Sequence, residues 1–165
     1  KISVHSLYVP AGGDIPDELT NEKFKHKLEF LDEMNSFYKF KRNKLDIVCG
    51  DFNVSPYQDD VWSHNQLKNV VSHTDIERKK LMNVLKNGKF IDTTRKFISP
   101  PENVFTWWSY RSKDYRKNNR GRRLDHIWVT DNKKIKAINA NIISETRSQF
   151  KPSDHVPVTF EFEMD

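Results

Sequence analysis

Apolar and polar residues alternate with period two from Ile2 to Val9, ISVHSLYV, and this predicts a β-strand. PAGGD after it reads as a turn or loop. From Asn21 to Phe40 the period changes. Phe24, Leu28, Leu31 and Phe37 or Tyr38 recur at helical spacing, charges fill the other face, and Thr20 or Asn21 can cap the start. Leu45 to Cys49 is apolar nearly throughout and predicts a central strand, which Gly50 ends. Asp59 to Asn69 suggests a short irregular helix. Ile76 to Leu85 predicts a helix with Ile76, Leu81, Val84 and Leu85 facing the core and Thr74 as cap. Arg123 to Thr130 predicts a strand with Leu124, His126 and Trp128 on one face and Asp125 and Ile127 on the other. Ala137–Ser144 and Val156–Phe162 predict two more strands. No repeat, low-complexity tract or interdomain linker interrupts the chain. The order of strands and helices predicts an α/β or α+β sandwich with helices outside a sheet.

The length, 165 residues, suits one domain. No run reaches the ~18 apolar residues of a membrane span, so a soluble chain with no membrane partner is expected. One cysteine, Cys49, excludes an internal disulfide and a multi-cysteine zinc site; it reads as a small buried hydrophobe and fits a reducing cytoplasm. The chain opens without Met, inside a strand and without a signal peptide. This suggests a fragment or a processed product.

Charge changes the picture further. The net charge is +5, and RSKDYRKNNRGRR (111–123) holds seven Lys or Arg against one Asp. A solvated loop is the plain explanation of such a run. Here it follows FTWWSY (105–110), and cations beside flat rings suit nucleic acid, one taking phosphates while the other stacks or wedges.

Polar groups also stand at the ends of apolar strands: Tyr8, then Asp51 and Asn53, then Asp125, then Asp154 and His155. Singly, most of them read as turn or cap residues. Asp125 is harder to place so, because a carboxylate within a strand needs a partner if buried. Together they suit phosphate-ester hydrolysis. Asp51, Asn53 and Asp154 offer the oxygens that Mg²⁺ prefers, with His155 as a further candidate at the metal. His155 can be a general base or a hydrogen-bond donor, and Asp125 can fix its tautomer. Tyr8 can donate to a phosphate or act as nucleophile or base. Period-two geometry would put Asp51 and Asn53 on one side of an extended segment, and Gly50 would let a ligand or neighbouring strand come close.

GDFNV (50–54), RRLDHIW (122–128) and SDHVPV (153–158) resemble the exonuclease–endonuclease–phosphatase superfamily. SLYVP (6–10), HKLEFLDEM (26–34), DVWSH (60–64), FTWWSYR (105–111) and NRGRRLDHIW (119–128) sharpen the resemblance to exodeoxyribonuclease III and abasic-site endonucleases. It implies a four-layer α/β sandwich, two packed mixed sheets flanked by helices. It also implies a monomeric DNA-repair nuclease using Mg²⁺ or Mn²⁺, acting on double-stranded DNA by incision 5′ of abasic sites and 3′–5′ trimming from 3′ ends. By motif position Tyr8 is the active-site tyrosine, Asp51 handles the proton of the attacking water, and Asn53 neighbours it at the phosphate. Asp154 is a metal aspartate, and His155 pairs with Asp125 at the scissile phosphate. Trp107, Trp108, Tyr110, Arg111, Arg120 and Arg122 fall where DNA is contacted, and Arg123 lies beside them. Ala11 stands where the family often has Asn. Family domains run to roughly 250 residues, so residues 1–165 correspond to the C-terminal two thirds of one. The early strand with an Asn and the glutamate that is the principal metal ligand would lie outside it. Weak metal binding and little activity are expected of these residues alone. Two other classes stay open: a superfamily phosphatase or phosphodiesterase for a lipid or small molecule, and a non-catalytic nucleic-acid-binding remnant.

Overall fold

The computed structural model describes residues 1–40, 45–111 and 114–164. Ser112 and Lys113 of the basic run lie outside the described residues.

β1 (Ile2–Tyr8) runs parallel to β2 (Leu45–Asp51), and between them lies the long helix α1 (Glu22–Phe40). Asn21 caps that helix, its Oδ1 accepting the Lys23 amide at 3.1 Å. β2 is central, as its apolar run predicted. It pairs on its other side with antiparallel β4 (Asp125–Thr130), and β4 pairs with the short β3 (Phe90–Asp92), giving the sheet order β1-β2-β4-β3. Gly50 does not end β2. The strand runs through it to Asp51, and a Cβ at Gly50 would stand 2.0 Å from the Leu7 carbonyl oxygen on β1. The close approach of a neighbouring strand is what glycine permits there.

A short 3-10 turn (Gln58–Asp60) and α2 (His64–Leu67) replace the single irregular helix expected over 59–69. α3 (Asp75–Asn87) starts in a capping box formed by Thr74 and Glu77. Its core face is Leu81 and Val84; Ile76, expected there, is 41% exposed. Phe37 of α1 likewise points outward, while Tyr38 is buried. α1 and α3 pack together, and Leu31, Met34, Leu81 and Val84 meet Val48, Phe90 and Trp128 from the sheet in the main core.

β3 and two short helices, α4 (Thr93–Phe97) and α5 (Tyr115–Asn118), were not foreseen. β5 (Ile135–Ile142) and β6 (Val158–Met164) form a second, antiparallel pair that meets the first sheet through β4 and packs α4 against β5. Two sheets flanked by helices are the α/β architecture that the motifs implied. Cys49 is half-buried rather than fully so, and burial pushes its thiol pKa up. Among the described residues, no helix is long and apolar enough to cross a membrane.

Candidate active site

Strand register brings three of the expected residues to one end of the first sheet. Tyr8 stands opposite Asp51 on the parallel neighbour, and Asp51 stands opposite Asp125 on the antiparallel one. His155 arrives from another direction, through a backbone bridge to Trp107. Its Nδ1 lies 2.8 Å from Asp125 Oδ2, and its Nε2 lies 3.9 Å from Asp51 Oδ2.

The tautomer follows from the hydrogen bonds. Thr106 Oγ1 accepts the Leu124 and Asp125 amides, each at 3.0 Å, so its own hydrogen is donated to Asp125 Oδ2 at 2.6 Å. An ionised Asp125 can only accept, so Nδ1 of His155 carries a hydrogen and donates it. This bond, opposed by partial burial and helped by the charges of Asp125, Asp51 and Asp154, raises the His155 pKa above the usual histidine value. The Asp51 pKa is raised as well. Burial raises its pKa, the Asn53 amide opposes that, and the nearby Asp125 charge adds to the rise. A partly desolvated carboxylate with a raised pKa is a competent proton acceptor.

Asp51 and Asn53 do meet, but not along an extended strand. Asn53 has φ of 50°, in the left-handed region that Asn tolerates. The turn lets Asp51 Oδ1 accept the Asn53 amide at 2.9 Å and Oδ2 accept Asn53 Nδ2 at 3.1 Å. Asn53 Nδ2 also donates to the Val9 carbonyl at 2.8 Å, tying the turn to the end of β1.

Behind the turn is an ion pair that sequence reasoning missed. Lys27 Nζ is fully buried, 2.5 Å from Glu77 Oε1, and donates to the Asn53 carbonyl at 2.7 Å and the Ala11 carbonyl at 3.2 Å. Burial lowers the Lys27 pKa and Glu77 opposes that fall. Glu77 also accepts the Ser72 amide, the Thr74 amide and the Thr74 hydroxyl. A signal was present: Lys27 falls on the apolar stripe of Phe24, Leu28 and Leu31.

A cleft of about 610 Å³ opens over these groups, lined among others by Tyr8, Asp51, Trp62, Trp107, Arg122 and His155. Arg111 and Arg120 also line it. Arg122 is fixed there: it donates to Ser72 Oγ at 2.6 Å and to the Val71 carbonyl at 3.1 Å, and its guanidinium lies 5.6 Å from the Trp107 ring centre. Tyr8 is 65% exposed, its ring open to the cleft. Tyr110 is exposed, and its hydroxyl donates to the Pro152 carbonyl at 2.9 Å.

One expected DNA contact needs correction, and one residue of the basic run is buried. Trp108 is 4% exposed and packs with Phe105 and Val156, its Nε1 donating to Asn119 Oδ1 at 3.1 Å. Its neighbour Trp107 takes the surface because adjacent residues of an extended segment face opposite ways. Arg123 is fully buried, held by Asp60 at 2.9 Å and Asp92 at 2.8 Å. It braces the fold.

Asp51, Asp125 and His155 offer ligand atoms within 4.8 Å of one another. Asp154, expected among the metal ligands, is not in that group; its Oδ2 accepts Trp107 Nε1 at 2.9 Å. Two half-buried carboxylates side by side, one already raised in pKa, are a donor set whose charge a hard divalent cation would neutralise. The residues therefore fit such an ion.

Comparison with known proteins identifies the family and the fold. The sequence profile of the Endonuclease/Exonuclease/phosphatase family matches residues 37–155. Exodeoxyribonuclease III of Haemophilus influenzae is 27% identical over 98% of this chain and 61% of its own length. Recombination repair protein 1 of Drosophila melanogaster is 34% identical over 98% of this chain and 22% of its own. Among solved structures, an AP endonuclease from Archaeoglobus fulgidus superposes with a TM-score of 0.88 at 30% identity, over 99% of this chain and 62% of that one. A 3′ phosphatase, NExo, from Neisseria bound to product DNA hairpin gives 0.84 at 26% identity, over 97% and 60%. The chain thus spans about 60% of the length of the exodeoxyribonuclease and of both structures.

Proposed function

Since the chain belongs to the Endonuclease/Exonuclease/phosphatase family, we propose that it is part of one catalytic domain that hydrolyses DNA phosphodiesters with Mg²⁺ or Mn²⁺. The substrate is double-stranded DNA, incised 5′ of abasic sites and trimmed from 3′ ends, and the protein works as a monomer. The observation that carries this is the chain of contacts Asp125–His155–Asp51 beside a cleft lined by Arg120, Arg122 and Trp107.

Each residue has a role that its surroundings support. Asp51, partly desolvated, accepts a proton from the attacking water as the water oxygen bonds to phosphorus and the P–O3′ bond breaks, the 3′ oxygen leaving as a hydroxyl with a proton from solvent. His155, its pKa raised by the hydrogen bond to Asp125, donates in its protonated form from Nε2 to a non-bridging phosphate oxygen and balances the charge that gathers there. Asp125 orients His155 and does not itself take up the proton. Asn53 keeps the Asp51 carboxylate in place, and Tyr8 donates to the phosphate from the open side. Arg111, Arg120, Arg122, Trp107 and Tyr110 hold the DNA strand. Asp51 and Asp125 are the carboxylates that would hold the cation, with His155 and Asn53 beside them, while Asp154 stands outside that group on Trp107 Nε1. The cation would supply charge neutralisation at the phosphate oxygens.

A substrate panel tests this: an abasic duplex, a duplex with recessed 3′ ends, inositol phosphates and sphingomyelin, offered to the protein made from its complete reading frame. Turnover confined to the two DNA substrates is expected. Turnover of the lipid or inositol phosphates with none on DNA would move the protein to the phosphatase branch.

A further inference from the structure

Trp62 lines the cleft, yet no role in the chemistry falls to it. Its position is set by a ladder of single backbone bridges. The His155 segment bridges Trp107, the Trp107 segment bridges Arg122, and the Arg122 segment bridges Val61. Trp62 N donates to the Gly121 carbonyl at 3.1 Å, completing the last rung. The four segments form the cleft floor, and His155, Trp107, Arg122 and Trp62 all face the cleft. His155, Trp107 and Arg122 follow one another across the floor, Val61 fills the last rung, and Trp62 beside it lines the cleft's edge.

The outer indole is anchored. It packs against the cluster of Phe105, Trp108 and Val156. The guanidinium of Arg120 lies over its ring, 4.6 Å from the centre. A free surface arginine has many rotamers to lose before it can grip an anion. One laid on an aromatic face has already lost several, and its planar fork keeps its N–H edges for an oxyanion.

We infer that Trp62 and Arg120 form a second phosphate subsite for the DNA strand whose scissile phosphate lies at His155, with Trp62 acting as a positioning residue for Arg120. The inference rests on the nuclease function proposed above. The ladder gives its reach. Neighbouring extended segments stand about 4.8 Å apart, so three steps span about 14 Å. One strand of B-DNA advances about 3.4 Å per nucleotide along its axis, and successive phosphates stand farther apart than that rise, so the subsite takes a backbone phosphate within about four nucleotides of the reacting one. A ligand that carries the reacting phosphate alone does not reach it.

The test is binding of fluorescent abasic duplexes in EDTA, which prevents cleavage, by protein made from its complete reading frame. One duplex extends well beyond the lesion on both sides. Two others end at the nucleotide next to it on one side or the other. On the long duplex Trp62→Ala is expected to weaken binding about threefold, the size of an exposed cation–π contact. It should also lower the slope of log affinity against log salt by about one phosphate's worth. Trp62→Phe, which keeps a ring, restores most of both. Arg120→Ala gives the same losses and leaves the buried packing alone, so it carries the test if Trp62→Ala melts early. The double variant is no worse than Arg120→Ala. On one of the two truncated duplexes both single variants bind like wild type. An unchanged salt slope on the long duplex in Arg120→Ala, or equal losses on both truncated duplexes, overturns the subsite and leaves the nuclease function standing. A wild-type protein that binds no duplex overturns both.

Discussion

His155 Nδ1 donates to Asp125 Oδ2 across 2.8 Å, and the same oxygen accepts the Thr106 hydroxyl at 2.6 Å. One carboxylate thereby fixes the tautomer of a histidine that has no neighbour in sequence to orient it. Asp125→Asn is expected to lower the His155 pKa, since the hydrogen bond that raises it first loses its charge. An NMR titration of the ring proton reads this directly. An unshifted His155 in Asp125→Asn would show that the pairing does not set its charge.

The buried pair Lys27–Glu77 braces the turn that holds Asp51 and Asn53. Removing one partner strands the other charge without water. Glu77→Gln or Lys27→Met should each cost roughly 3–5 kcal/mol of stability. The double change Lys27→Met/Glu77→Leu should cost clearly less than the sum. Urea unfolding of the three variants decides it, and full additivity would mean the two charges are not a pair.

Gly50 has φ of 134°, and a Cβ there would overlap the Leu7 carbonyl oxygen. Gly50→Ala must push β1 away from β2 just where Tyr8 and Asp51 face each other. A loss of more than ~3 kcal/mol is expected, beyond the usual range for a point change. A melting temperature within a few degrees of wild type would contradict it.

Acid should destabilise the fold through two buried histidines. Burial holds His126 down at about 4, and His73 likewise at about 4. His126 is 2.9 Å from the Val54 carbonyl by Nε2; His73 is 2.7 Å from the Ser55 carbonyl by Nδ1. Unfolded, each titrates near 6.5. Between the two values the unfolded chain binds more protons, so stability falls as pH drops from about 6.5 to about 4. The combined loss is on the order of a few kcal/mol. Urea midpoints measured across that interval should decline, and a flat profile down to pH 4.5 would show that these histidines do not charge on unfolding.

The long-period features were legible in the sequence. α1 carries a sustained apolar stripe, β2 an unbroken apolar run, and α3 a Thr–x–x–Glu box, so each announces itself locally. β3 and α4 did not, because three residues and five residues are too short to show a period. The site residues were legible as types but not as geometry. Nothing local says that Asn53 turns left-handed, that Asp125 rather than Asp154 joins Asp51 and His155, or that Trp107 faces the cleft while Trp108 is buried. Arg123 looked like part of a basic run because its partners, Asp60 and Asp92, are distant in the chain. Trp62 gained meaning only when the ladder placed it beside Arg120.

The central claim is that Asp51 and His155 do chemistry on a phosphodiester rather than merely bind it. The most direct measurement is single-turnover incision of an abasic duplex with Mg²⁺ or Mn²⁺, alongside duplex affinity in EDTA. Both are run on protein made from its complete reading frame, as wild type, Asp51→Asn and His155→Ala. Incision that stops in EDTA and falls by about a hundredfold or more in each variant, with affinity kept within a few-fold, is the predicted result. Affinity that falls in step with incision, or incision that survives in Asp51→Asn, would contradict it.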